Sequence, residues 1–379
     1  GMTLLARLVA PVMTDALIQE MSAVGSLLIV ALSCAIAYVA ALIYARTADS
    51  ASFTKVRSLQ IDSASRVEAV SDGLVVYDGS TIRKVSAQSL DGWSYAMGVG
   101  ADFSASDAGV AAWNDRTLTL IDGSTGVTSY SGSMDETVLS ARMGQVYTAA
   151  LLGPEHNSTI VLMESGGRRV DSITLADQTV VDYGFFYNDK LFWVMTLDTN
   201  GTVPCCTVST YRPGRRIVGQ ITDSEQTLYR ALFRQSQIYC VGDTYVKVFD
   251  YNGKEKSDLR TLVYGWMLAD ADETMNDDPL MAYVPTGQYD ASGEMRDVRM
   301  VRGSTLRTVR MPYACASIVA KEDGVYGFSG DGYVMVAKLD RQKVDAYRLN
   351  ASFDQVYGVA DGSIAMLSSG NTFYFVSLG

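Results

Sequence analysis

Histidine is almost missing from this chain. His156 is the only one in 379 residues. A single imidazole cannot build a His-rich metal site, and any Ser-His-Asp arrangement has to run through it. It sits in Gly153-Pro154-Glu155-His156-Asn157, a loop by composition. Cysteine is scarce and odd in number: Cys34, Cys205, Cys206, Cys240 and Cys315. No pair has zinc-ligand spacing and the set is no disulfide framework, so buried, unpaired thiols are expected. Positive charge is also short. Thirty-one Lys and Arg face 42 Asp and Glu, for a formal charge of −11. That excludes a nucleic-acid surface, which needs basic patches on one face. Glycine-rich phosphate loops, nucleophile elbows and a recognisable motif of paired catalytic carboxylates are absent as well. No catalytic residue and no cofactor follows from what remains.

What is present is a repeat. A turn residue, often Gly, precedes a short apolar run at Asp72-Gly73-Leu74-Val75-Val76-Tyr77. It returns at Ala108-Gly109-Val110-Ala111-Ala112-Trp113 and in weaker forms down the chain. The runs begin near 73, 109, 145, 190, 237, 279, 324 and 362, steps of 36 to 47 residues. Each is preceded by a lead-in strand such as Arg66 to Val70 and followed by a hairpin. The clearest hairpin is Thr117 to Tyr130, turning on Asp122 to Gly126, because Asp and Gly tolerate the positive φ that hairpins need. Four strands in roughly 40 residues make one propeller blade. The expected fold is therefore all-β, an eight-bladed β-propeller. Seven blades are the alternative if unit 179–222 or 263–312 is miscounted. The eighth unit stops one strand short at the C-terminus, while Phe53 to Ile61 belongs to no unit. That N-terminal segment is expected to close the ring beside Thr372 to Leu378, since pairing removes two exposed sheet edges.

Ahead of the repeats, residues 1–21 read as a leader and amphipathic helix, with Leu4, Leu5, Leu8, Val12, Ala16 and Leu17 at helical spacing. Residues 22–45 carry no charge and are long enough to cross roughly 30 Å of hydrocarbon, so a single transmembrane helix is expected there. Residues 46–52 form a polar linker and 53–379 the propeller domain. Arg46, Lys55 and Arg57 outnumber Arg7 across the apolar segment, and a literal charge count keeps the domain in the cytoplasm.

Two resemblances bear on these expectations. Asp122-Gly123-Ser124-Thr125-Gly126 followed by Tyr130 resembles the quinoprotein-type (PQQ-repeat) propeller signature of Asp-x-x-Thr-Gly and then an aromatic, and Lys84 to Trp93 is a looser copy. That likeness implies a fold and no cofactor. The whole chain also resembles a family of membrane-anchored propeller proteins of Gram-positive anaerobic bacteria. This implies a single-pass anchor in the cell membrane and an extracytoplasmic propeller, against the charge count.

The densest acidic run, Asp270-Ala271-Asp272-Glu273-Thr274-Met275-Asn276-Asp277-Asp278, offers weak metal candidates in Asp270, Asp272, Glu273, Asp277 and Asp278. Hard cations take six or more oxygens, whereas charge runs usually face water. Arg168, Arg169, Arg212, Arg215, Arg216, Arg296, Arg299, Arg302, Arg307 and Arg310 lie in hairpins that solvate outer strands or read an anionic wall polymer. Trp93, Trp113, Trp193 and Trp266 are expected to pack between blades. The reading that follows is a non-catalytic, membrane-anchored propeller acting as a scaffold or sensor for a protein or envelope partner. The alternative is an enzyme or a glycan- or wall-polymer-binding module with a site on one face or in the channel.

Overall fold

The computed structural model describes residues 32–34, 36–38, 54–60, 64, 66–89, 92–199, 201, 203–215, 217–272, 278–289, 295–321, 324–349, 352–360 and 364–377. The described residues form eight antiparallel four-stranded sheets. In seven of them the strands run outward in chain order; blade 2, for example, is Asp102–Ala105, Gly109–Asn114, Thr117–Asp122 and Thr128–Ser133. The innermost strands are Arg66–Val70, Asp102–Ala105, Val138–Met143, Thr179–Phe186, Leu228–Phe233, Trp266–Ala271, Ser317–Lys321 and Gln355–Ala360, for blades 1 to 8. Both irregular units, 179–222 and 263–312, contain a full sheet, which removes the seven-blade alternative. In the eighth sheet the outermost strand is Thr54–Gln60, antiparallel to Thr372–Ser377, with Thr54 opposite Ser377 and Gln60 opposite Thr372. The inner strands of blades 1 and 8 also touch, so the blades follow one another around a ring.

The apolar run of each repeat becomes the second strand of its blade. Its lack of alternation has a physical cause. Gly73–Tyr77 is buried at every position, with Leu74 and Val76 packed toward blade 8 and Val75 and Tyr77 toward blade 2. A strand covered on both faces has no reason to alternate. The same division holds all round: eight apolar clusters, one at each interface between successive blades, make up the core of the described residues. The glycine before the run is forced by close approach. A Cβ on Gly73 would lie 2.2 Å from the Val85 carbonyl oxygen, and one on Gly109 equally close to that of Ile121.

Within the Asp122–Gly126 turn only Gly126 takes the expected positive φ, 72°, while Asp122 serves as a hydrogen-bond acceptor. One carboxylate oxygen accepts the N–H groups of Ser124 and Thr125 and both of their hydroxyls, at 2.7–3.0 Å. Across the blade 1–2 interface, the Trp93 indole N–H donates to the Gly123 carbonyl at 2.9 Å, and its side chain lies where a Cβ on Gly126 would be, with the nearest ring atom 2.5 Å away. Tyr130 takes the same seat over Gly167 of blade 3. Trp113 and Trp193 likewise belong to interface clusters, and Trp266 packs against the cluster between blades 5 and 6.

Two short helical turns, Ser257–Leu259 and Thr286–Tyr289, interrupt the strands. One turn is too short to leave a helical period in the sequence. The expected transmembrane helix over 22–45 lies outside the described residues except at 32–34 and 36–38, which are helical. The leader and linker lie outside them entirely. Among the described residues no helix is long and apolar enough to cross a membrane.

Candidate functional site

The ring has two faces. One, here the turn face, carries the turns between first and second strands and between third and fourth. The other carries the remaining turns and the blade-to-blade connections. At the centre is a cavity of about 720 Å³ walled by the inner strands of blades 1 to 5 and lined on the turn face by the first-turn residues Asp107, Gly144 and Asp189.

An innermost strand presents unpaired main-chain groups along its free edge, a liability in any sheet. Here side chains of the preceding blade meet those groups. Glu68 accepts the Ala105 N–H at 2.7 Å, and the Ser104 hydroxyl donates to the Ala141 carbonyl at 2.6 Å. Arg142 donates to the Tyr183 carbonyl at 2.5 Å. Tyr229 and Asp270 accept the N–H groups of Leu268 and Ala320, at 3.2 and 2.7 Å. Every one of these bonds runs from a blade to its successor. Ion pairs follow the same direction, Arg66 to Asp102 and Arg142 to Asp182. Five inner strands also skip one residue in their pairing, at Leu139, Val181, Tyr229, Ala269 and Tyr357. Such a bulge bends the strand and re-aims the side chain beside it.

On the turn face a second stitching uses carboxylates from the first turns. Asp107 accepts the Ser71 N–H at 2.8 Å. Asp189, only 4% exposed, accepts the N–H groups of Val146 and Tyr147 at 2.6 and 3.1 Å. Asp278 accepts from the Gln237 amide at 2.7 Å and from the Tyr239 hydroxyl. The blade 4–5 wall of the cavity is aromatic. Phe186 and Phe233 stack at 4.3 Å, Trp193 lies 5.0 Å from Phe233, and Tyr251 stacks on the outer side of Phe186 at 5.9 Å.

The residues singled out by sequence do not gather in this cavity. Asp270 faces blade 7 through Ala320, while Asp278 faces blade 5. Asp272 is buried, and its carbonyl accepts from Arg234 at 3.2 Å. Glu273 and Asp277 lie outside the described residues. Among the described residues no three His, Cys, Asp or Glu side chains gather as metal ligands. His156 is on an exposed loop, its Nδ1 3.2 Å from the Thr179 hydroxyl. Arg169 and Arg310 are engaged by Asp135 and Asp297 at 2.5 and 3.2 Å, and Arg168 by Glu164. Cys206, Cys240 and Cys315 are buried thiols. Burial pushes Cys240 and Cys315 up to about 12, which keeps them protonated and inert. Burial does the same to the Tyr183 phenol, raised to about 12 beside the Ser140 hydroxyl.

These features define a β-propeller of eight four-stranded blades with a polar, aromatic-walled central cavity. No protein-family model matches the chain, and no curated protein sequence matches it. Solved structures do. BamB from Moraxella catarrhalis aligns over 86% of this chain and 99% of its own, at TM-score 0.55 and 12% identity. Saccharomyces cerevisiae Sqt1 aligns over 86% and 98% at TM-score 0.57 and 10% identity, and the C-terminal WD40 domain of Sif2 over the same shares at 0.56 and 10%. At these identities the likeness establishes the propeller fold and nothing narrower.

Proposed function

We propose that this chain is a non-catalytic, membrane-tethered propeller that presents a face of its ring to a protein partner. The observation that carries the reading is how the polar groups around the channel are employed. Glu68, Asp102, Asp182, Asp189 and Asp270 each hold a main-chain N–H or a guanidinium of an adjacent blade. Side chains spent on holding blades in register serve a rigid ring, and a rigid ring serves recognition, because little ordering is left to do on binding.

In this reading residues 22–45 are the anchor, 46–52 the linker, and the propeller is extracytoplasmic. The propeller is of the quinoprotein-like type, supported by the Trp93 and Tyr130 rings seated over Gly126 and Gly167. The strand Thr54–Gln60 acts as the latch that seals the last blade, supported by its register with Thr372–Ser377.

Chemical cross-linking of the full chain in its native cells, followed by mass spectrometry, tests the proposal. The expected result is a discrete protein partner whose cross-links cluster on one face of the ring. Absence of any cross-linked protein, or cross-links scattered evenly around the rim, overturns it. Protease shaving of intact cells tests the compartment separately, and an extracytoplasmic propeller is expected to be cut.

A further inference from the structure

The outer hairpin of blade 4 departs in charge from the rest of the chain. Between Asp198 and Asp223 there is no acidic residue, although the whole chain carries a formal charge of −11. The turn between its strands Cys205–Tyr211 and Ile217–Asp223 holds Arg212, Arg215 and Arg216, the last outside the described residues. Arg212 and Arg215 are exposed, and among the described residues neither side chain meets a carboxylate or a hydrogen-bond acceptor. The turn that carries them is well defined. Gly214 takes a φ of 73°, the Arg215 N–H donates to the Arg212 carbonyl at 2.8 Å, and a Cβ on Gly214 would lie 3.2 Å from the Val170 side chain of blade 3. Aliphatic groups stand beside the arginines. Tyr211 pairs with Ile217 and Thr210 with Gly219, so Val218 is skipped, and such a bulge re-aims the side chains around it. Ile217 is left 48% exposed and Val218 51%.

The hairpin turns on either side spend their charges internally. On blade 3, Arg168 pairs with Glu164 and Arg169 with Asp135. On blade 5, Asp250 accepts the N–H groups of Asn252 and Lys254, each at 2.9 Å. Asp171 of blade 3 is near enough to act on the Tyr211 phenol, yet it pairs with neither arginine. Arg212 and Arg215 are thus left without a counter-charge. A second observation says which anion is at hand. Thr54 lies opposite Ser377, at the end of the eighth sheet that corresponds to the hairpin turns of the other blades. The chain therefore enters the ring at the same end as these arginines. Only residues 46–53 separate Thr54 from the uncharged run 22–45, and eight residues span at most about 28 Å.

We infer that the blade 4 hairpin docks on an anionic lipid surface, with Arg212 and Arg215 on headgroup phosphates and Ile217 and Val218 in the interfacial layer. The inference rests on the reading of 22–45 as an anchor and adds a second, reversible contact. Guanidinium groups bind phosphate through charge-assisted, often bidentate hydrogen bonds. Basic residues beside aliphatic ones suit the headgroup boundary, where both kinds of side chain find a partner. An acidic protein segment would match the arginines but gives no role to the chain's entry at this end. Blade 4 lies halfway round the ring from blade 8. A contact there braces the rim opposite the tether and leaves the other face open to a protein partner.

The test is amide hydrogen exchange of the full chain in lipid discs of phosphatidylcholine alone or mixed with phosphatidylglycerol. Exchange over 211–218 is expected to be about fivefold slower on the mixed discs and to return to the phosphatidylcholine rate in high salt. The exposed loop 154–156, on the other face, is expected to exchange equally on both. Arg212→Glu with Arg215→Glu is expected to abolish the slowing, and Ile217→Ser with Val218→Ser to cut it about twofold, with thermal midpoints unchanged. Equal exchange on the two kinds of disc, or slowing that survives the charge reversal in folded protein, overturns the contact. So does protection by soluble polyglutamate on neutral discs in place of the mixed discs, which assigns the arginines to an acidic macromolecule. A chain that enters neither disc removes the anchor reading by itself. The same exchange is then run with phosphatidylglycerol vesicles added to the full chain, where slowing over 211–218 upholds the hairpin contact and its absence overturns it.

Discussion

Asp189 combines burial, an unfavourable backbone conformation and two accepted hydrogen bonds in one residue. Asp189→Ala leaves the Val146 and Tyr147 N–H groups without their acceptor. We expect it to lower the unfolding free energy by about 2–3 kcal/mol, read from urea denaturation. Gly126 works by absence. A Cβ there would lie 2.4 Å from Trp93, so Gly126→Ala must push the indole off Gly123; a drop of about 1–3 kcal/mol is expected. Asp122 supplies a pH signature. The Ser124 and Thr125 hydroxyls and their N–H groups hold its carboxyl at about 2, below its unfolded value near 3.9. A depressed folded-state pKa contributes stability that is complete above the unfolded value and is lost as pH falls toward 2. The thermal midpoint of Asp122→Asn is therefore expected to lie below that of the parent protein at pH 6 and to converge on it by about pH 2.

At the level of the strand, the sequence was legible where a residue's job is local. The Asp122–Gly126 turn, the glycines ahead of the first two apolar runs and the apolar runs themselves all answer to neighbours a few positions away, or to burial on both faces. Glu68, Ser104, Arg142 and Asp270 were not legible. Their hydrogen-bond partners sit one blade on, 37 to 50 residues away, and a short polar lead-in strand shows no local trace of that. The acidic run illustrates the same limit. As a string it is a cluster, yet Asp270 and Asp278 face opposite neighbours. The cavity and its exposed aromatics arise only when blades 1 to 5 are assembled. The strand Thr54–Gln60 gives an element-level prediction. A chain lacking residues 2–45 is expected to be soluble, folded and monomeric by gel filtration. A chain lacking 2–60 uncovers the outer edge of Thr372–Ser377 and is expected to melt lower and to self-associate.

For the molecule as a whole, stability is distributed over eight interfaces, with no single centre. Each second strand contributes to two of them, so damage to one blade is felt on both sides. Leu74→Ala is expected to cost about 2–5 kcal/mol, and calorimetry is expected to show one transition of the ring rather than a series. The register of the eighth sheet reaches further still. Its outermost strand is synthesised before every other strand of the ring, and its partner, Thr372–Ser377, after all of them. During translation that early strand must therefore wait for this partner until Thr372–Ser377 has been made. Closure of the toroid thus waits on the last strand, and a stop codon ahead of Thr372 leaves Thr54–Gln60 with no strand to pair with.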